Sequence, residues 1–187
     1  YEQALVIDRE IGDRRGEGVD LGNLGTAYYS LGEMRRAIEY YEQALVIDRE
    51  IGDRRGEGVG LDNTGNAYRE LGEPQRAVVY CEQSLAIMHE LGDQGLECEA
   101  LKDLGLACAA SGNDHRAMEC FEEALVIARE VEYKRIEAET LESLGMTYKQ
   151  LGNLDQAREC WRQALGIFET IEHPDVARVR EWLKGLD

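Results

Sequence analysis

The chain has 187 residues, 43% of them apolar, enough for the core of one domain or two small ones. Two prolines stand against 20 glycines, and 32% of the residues are charged, which favours helices over a loop-rich β fold. With 38 Asp and Glu against 21 Lys and Arg, the net charge of −17 argues against nucleic acid as a ligand, and no apolar run approaches the ~20 residues that span a bilayer.

Residues 1–19, YEQALVIDREIGDRRGEGV, recur unchanged at 41–59, a period of 40. The period continues more loosely in LGNLGTAY (21–28), LDNTGNAY (61–68), LKDLGLAC (101–108) and LESLGMTY (141–148). A second block keeps step: RAIEYYEQAL (36–45), RAVVYCEQSL (76–85), RAMECFEEAL (116–125) and QARECWRQAL (156–165). The acidity is spread over every full repeat, so it is a property of the array and not of a detachable tail.

Taken in order, residues 1–17 form a partial repeat, the second helix of a truncated unit. Four units follow, at 18–57, 58–97, 98–137 and 138–175, and 176–187 close the chain as a capping helix. Within a unit, Leu21, Leu24, Tyr28 and Leu31 mark one stripe of a first helix, and Gly32 ends it. Ala37, Tyr41, Ala44, Leu45, Ile47 and Ile51 mark the inward face of a second helix, which stops at Gly52-Asp53. Gly25, Gly65, Gly105 and Gly145 share one register, which predicts close approach of the two helices there. Tyr41, Cys81, Phe121 and Trp161 are the complementary large or medium residues. Neither helix can bury its stripe alone, so the units must stack. The predicted fold is all-α, a right-handed α-solenoid of antiparallel helix pairs.

This small-and-large pattern resembles the tetratricopeptide repeat (TPR). Leu21, Leu24, Gly25, Tyr28, Ala37, Tyr41 and Ala44 match its signature sites in order, with Leu21 where Trp is common. Thr64, Ser84, Cys108 and Ser111 depart from the pattern in the second and third units. The unit is six residues longer than the usual 34, and in this it is similar to the Pins/LGN adaptors. It is also similar to arrays attached to bacterial STAND-type NTPases and CHAT-type proteases.

The resemblance implies a binding groove lined by the first helices. Carried onto this chain, it assigns peptide-binding roles to Asn23, Thr26, Asp62, Asn63, Asn66, Arg69, Lys102, Glu139, Glu142 and Lys149. The asparagines offer a donor and an acceptor each, which suits a peptide backbone. Asn63, Asn66, Arg69 and Lys102 can also be read as a partial clamp for a carboxylate, but the nearby acids oppose that ligand. A basic or amphipathic segment suits the field better.

The five cysteines include no CxxC pair and fit thiols used as apolar fillers in a reducing, cytoplasmic setting. The three histidines lack metal-ligand spacing, and GEGVDLGNLG (16–25) lacks both the GxGxxG spacing and a preceding strand. No catalytic residue, metal or cofactor is therefore expected, and the chain reads as a scaffold for a protein or peptide partner, not an enzyme. The alternative is the sensor arm of a larger signalling protein. Residues 1–13, with Leu5, Ile7 and Ile11, read as the tail of a preceding unit, which predicts weak self-association through that end.

Overall fold

A computed structural model describes residues 1–186. Its elements are α1 (Glu2–Ile11), α2 (Arg14–Ser30), α3 (Met34–Ile51), α4 (Arg54–Glu70), α5 (Pro74–Leu91), α6 (Gln94–Ala110), α7 (Asp114–Glu130), α8 (Lys134–Gln150), α9 (Leu154–Thr170) and α10 (Val176–Lys184). They fall into two compact units, one holding α1–α5 and the other α6–α10. Within each unit, connections too short for a crossover make successive helices antiparallel.

The first helices of the pairs begin at Arg14, Arg54, Gln94 and Lys134, four residues upstream of the repeat starts at 18, 58, 98 and 138. The cause is local. Gly52 takes φ 70°, which an L side chain resists, and ends α3. Asp53 then caps α4 by accepting a bond from the Gly56 backbone N–H at 2.9 Å. Asp13 does the same for α2 through Gly16, at 3.0 Å. The GDRRG segment that reads as a junction is thus a helix stop followed at once by a helix start. At the same register in the second unit, Glu132 and Glu172 adopt positive φ, 55° and 54°, without being glycine.

The shared glycines of the first helices face large side chains on the second. A Cβ on Gly25 would stand 2.5 Å from the Tyr41 ring, on Gly105 2.5 Å from Phe121 and on Gly145 2.4 Å from Trp161. Tyr41, Phe121 and Trp161 are accordingly buried. Leu31 departs from the expected stripe and is 71% exposed, because the helix has already ended at Ser30 and Leu31 lies in the turn. The polar departures are accommodated: buried Thr64 bonds the Gly60 carbonyl at 2.7 Å, and buried Ser84 bonds the Gly58 carbonyl at 2.9 Å.

Buried glutamates recur between the second helix of one pair and the first of the next. Glu57 is held by Arg49 at 2.7 Å and by Arg54. Glu17 is held likewise by Arg9, at 2.8 Å, and Arg14. In the second unit, Glu137 is held by Arg129 and Lys134, both at 2.9 Å. Burial opposes the charge of Glu57 and Glu137, but their cationic partners outweigh it and lower both pKa values. The bond from Arg9, assisted by Arg14, lowers that of Glu17 against the opposition of burial.

Helix α10 covers the end of α9. Val179 is fully buried, the Trp182 ring lies 5.3 Å from Trp161, and the His173 ring stacks on Phe168 at 4.7 Å.

Candidate functional site

In the first unit, α2 and α4 flank two adjoining hollows whose floor is α3. One, of about 220 Å³, is lined by Thr26, Tyr29, Tyr41, Asn63 and Asn66. The other, of about 160 Å³, shares Tyr41 and Asn63 and continues past Val19, Gly22, Ala44 and Val59 to Asp48 and Asp53. The repeat spacing produces this arrangement: Asn63 and Asn66 lie one turn apart on α4, and Thr26 lies on the matching face of α2. The Tyr41 hydroxyl bonds Thr26 Oγ1 at 3.3 Å, which ties the floor to the wall.

Three of the expected groove residues, Thr26, Asn63 and Asn66, therefore line one hollow. Asp62, Asn66 and Arg69 form a chain along α4: Asn66 Nδ2 donates to Asp62 at 3.4 Å, and Arg69 donates to Asn66 Oδ1 at 3.3 Å. Arg69 also pairs with Glu70 at 3.0 Å. Asn23 lies half-buried on α2 and lines neither hollow.

In the second unit the expected residues bind one another. The Lys102 ammonium lies between Glu139, at 3.0 Å, and Asp103, at 3.4 Å. Burial works against its charge, but these two carboxylates outweigh burial and raise its pKa. Glu139 also takes a bond from Arg135 at 2.9 Å, and Arg135 reaches Glu99 at 2.7 Å. Tyr133 donates to the same Glu99 oxygen at 2.7 Å. Glu142 is claimed by Arg178 at 2.6 and 2.8 Å, although burial holds its pKa up. Lys149 is exposed, with its ammonium 5.8 Å from the centre of the Trp161 ring.

Tyr41, Ala44 and Asp48 line the hollows from α3, the second helix of a pair, and the groove assignment was confined to first helices. For Asp48 a signal was present: its register holds Met88, Ala128 and Phe168 in later repeats. An aromatic stack recurs in the two pairs of the first unit. Tyr28 stacks on Tyr40 at 5.2 Å with Arg36 over it at 3.9 Å, and Tyr68, Tyr80 and Arg76 repeat the motif.

The cysteines are all buried and none forms a disulfide. Burial pushes the thiols of Cys98 and Cys160 up to about 11 and that of Cys120 up to about 12. Among the described residues, no cluster of His, Cys, Asp or Glu could hold a metal ion, and no helix is long and apolar enough to cross a membrane.

Three family models, each described as a tetratricopeptide repeat, match residues 21–50, 60–130 and 138–170. A comparison with curated proteins gives no match. Among solved structures, BtubC from P. vanneervenii is 23% identical with a TM-score of 0.75, over 86% of this chain and 67% of that one. Kinesin light chain repeats from Podosopora anserina are 21% identical with a TM-score of 0.73, over 89% of this chain and 83% of theirs. A Rap protein complexed with Competence and Sporulation Factor is 17% identical with a TM-score of 0.82. That match takes in 91% of this chain but only 48% of the Rap chain, so the chain spans about half the length of that relative. At these identities the likeness is one of fold, an all-α helical solenoid. The spacing of the helix pairs and the three matches in register agree: the chain belongs to the tetratricopeptide repeat family, whose repeats serve as scaffolds for protein interaction.

Proposed function

We propose that the chain binds a peptide segment of a protein partner along the α2–α4 face of its first unit, as a binding module and not as an enzyme. The observation that carries this reading is the pair of adjoining hollows that share Asn63. Its side-chain amide is engaged by no hydrogen bond among the described residues, so it can meet a peptide amide with donor and acceptor together. Tyr29, Tyr41, Val19 and Val59 supply the apolar surface beside it. The acidic balance of the chain suits a basic or amphipathic segment. In the second unit, Lys102, Glu139 and Glu142 are already paired internally, so the carboxylate clamp is the weaker reading. A cytoplasmic setting suits the buried thiols.

The test is selection from a peptide-display library at low and high salt. Recovered peptides are expected to bind more weakly at high salt, and about tenfold more weakly to the Asn63→Ala/Asn66→Ala double variant. Recovery of no peptide, or of peptides indifferent to both asparagines, would sink the proposal.

A second reading, the sensor arm of a longer signalling protein, draws on the likeness to the Rap protein solved with its factor, of which this chain matches about half. The parent reading frame decides between the two: an effector domain in the same frame favours the sensor.

A further inference from the structure

Position 48 shares its register with Asp8 one period earlier, and with Met88, Ala128 and Phe168, each buried, one, two and three periods later. Asp48 places a carboxylate there, on the inward side of α3 between α2 and α4. The neighbouring backbones are cleared for it. A Cβ on Gly56 would stand 2.9 Å from Asp48 Oδ1, and one on Gly18 would stand 3.3 Å from the same atom. In the second unit the register of Gly56 holds Leu96 and Ile136 instead.

This carboxylate makes no hydrogen bond or ion pair among the described residues, and it lines the 160 Å³ hollow. That hollow has room for several water molecules at about 30 Å³ each. Burial, then the carboxylates of Asp53 and Glu57 on the α4 side, push the Asp48 pKa up to about 6, with Arg15 of α2 acting the other way. Arg15 itself is held at the rim by Asp53, at 3.4 Å. A desolvated acid without an internal partner weakens the unit that carries it, and a cation in the hollow relieves that cost.

We propose that this hollow is a subsite for a basic side chain of the partner, with Asp48 receiving the ammonium or guanidinium and Val19, Tyr41, Ala44 and Val59 packing its alkyl stem. The inference rests on the peptide-binding reading above and names the side chain that the first unit selects. Because the cation requires ionised Asp48, binding strengthens as pH rises through about 6.

The experiment titrates the full chain with Nα-acetyl-lysine amide, and with Nα-acetyl-norleucine amide, which keeps the stem and lacks the ammonium. The readouts are the amide resonances of Gly18, Gly22, Gly56 and Gly60 and the carboxyl carbon of Asp48. Lysine amide is expected to give saturable shifts at pH 7, weaker at pH 5, and to lower the Asp48 pKa. Norleucine amide is expected to give none of these. Asp48→Asn keeps the shape and removes the charge, and should weaken lysine binding about tenfold. Gly22→Leu is a second variant from a different wall; a Cβ there meets nothing within 4 Å, so the fold tolerates it while the hollow is blocked. Equal shifts from the two amides, or lysine shifts that survive both variants, overturn the subsite. If displayed peptides depend on Asn63 and Asn66 but not on Asp48, the groove stands and the subsite falls. If no peptide is recovered while lysine amide still binds through Asp48, the groove reading falls and the subsite stands.

Discussion

Three residues set the energetics of this chain in different ways. Trp161 is fully buried, and its indole N–H donates to the Glu142 carbonyl at 3.1 Å. Trp161→Ala should cost about 3–5 kcal/mol, read from the urea midpoint, because a cavity and a lost hydrogen bond add. Glu57 shows how a buried charge is tolerated: Arg49 and Arg54 meet both of its oxygens. Asp48 lacks such partners. Its carboxyl, with a pKa raised to about 6, is ionised in the folded and the unfolded chain above that pH, and the burial cost is then fully felt. Between about 6 and the ordinary aspartate value the folded state alone takes up the proton, so this group makes stability rise as pH falls through that window. Asp48→Asn should therefore stabilise the protein at pH 7, by on the order of 1 kcal/mol after discounting for partial exposure. The gain should shrink at pH 5. Denaturant titrations at the two pH values check both statements.

At the scale of the element, caps decide where helices begin. Asp53 and Asp13 start α4 and α2 earlier than the hydrophobic stripe suggests, because an N-cap acts on backbone groups that periodicity does not see. Asp53→Ala should cost about 1 kcal/mol by loss of that cap, measured by urea unfolding. The left-handed turn residues make the converse case. Gly52 accepts positive φ at little cost, whereas Glu132 adopts φ 55° at the same register. Glu132→Gly should stabilise the protein by about 1 kcal/mol, visible as a higher thermal midpoint. The pairing of first and second helices was legible in the repeated Gly and Ala registers. Their meaning was sharpened by structure: Gly25, Gly105 and Gly145 each make room for an aromatic ring. Leu31 was misread because its spacing continues the stripe after the helix has stopped.

At the scale of the whole molecule, clasped glutamates occur in both units, as Glu17 and Glu57 in the first and Glu137 in the second. Each has a folded pKa below the ordinary glutamate value of 4.5. Their contribution is complete above that value and is lost as pH falls through the lower, folded values, where the unfolded chain binds more protons. Acid should therefore unfold the chain cooperatively below about pH 4.5, followed by circular dichroism at 222 nm. In Glu57→Gln that transition should become shallower.

The 40-residue recurrence, the helical stripes and the small residues at fixed registers were enough, without coordinates, to identify stacked helix pairs and the family. Period and residue size are one-dimensional quantities, and packing between adjacent helices depends on them directly. The candidate site was only partly legible. Thr26, Asn63 and Asn66 converge because they share a face, which spacing encodes. Whether a polar residue is free to bind depends on what lies across from it, and spacing does not encode that. Lys102 and Glu139 look alike as ligands in the sequence, yet in space they satisfy each other at 3.0 Å. Asp48 shares its register with the buried Met88, Ala128 and Phe168 of later repeats, and only the hollow between α2 and α4, with glycine on both walls, left its carboxylate without a partner.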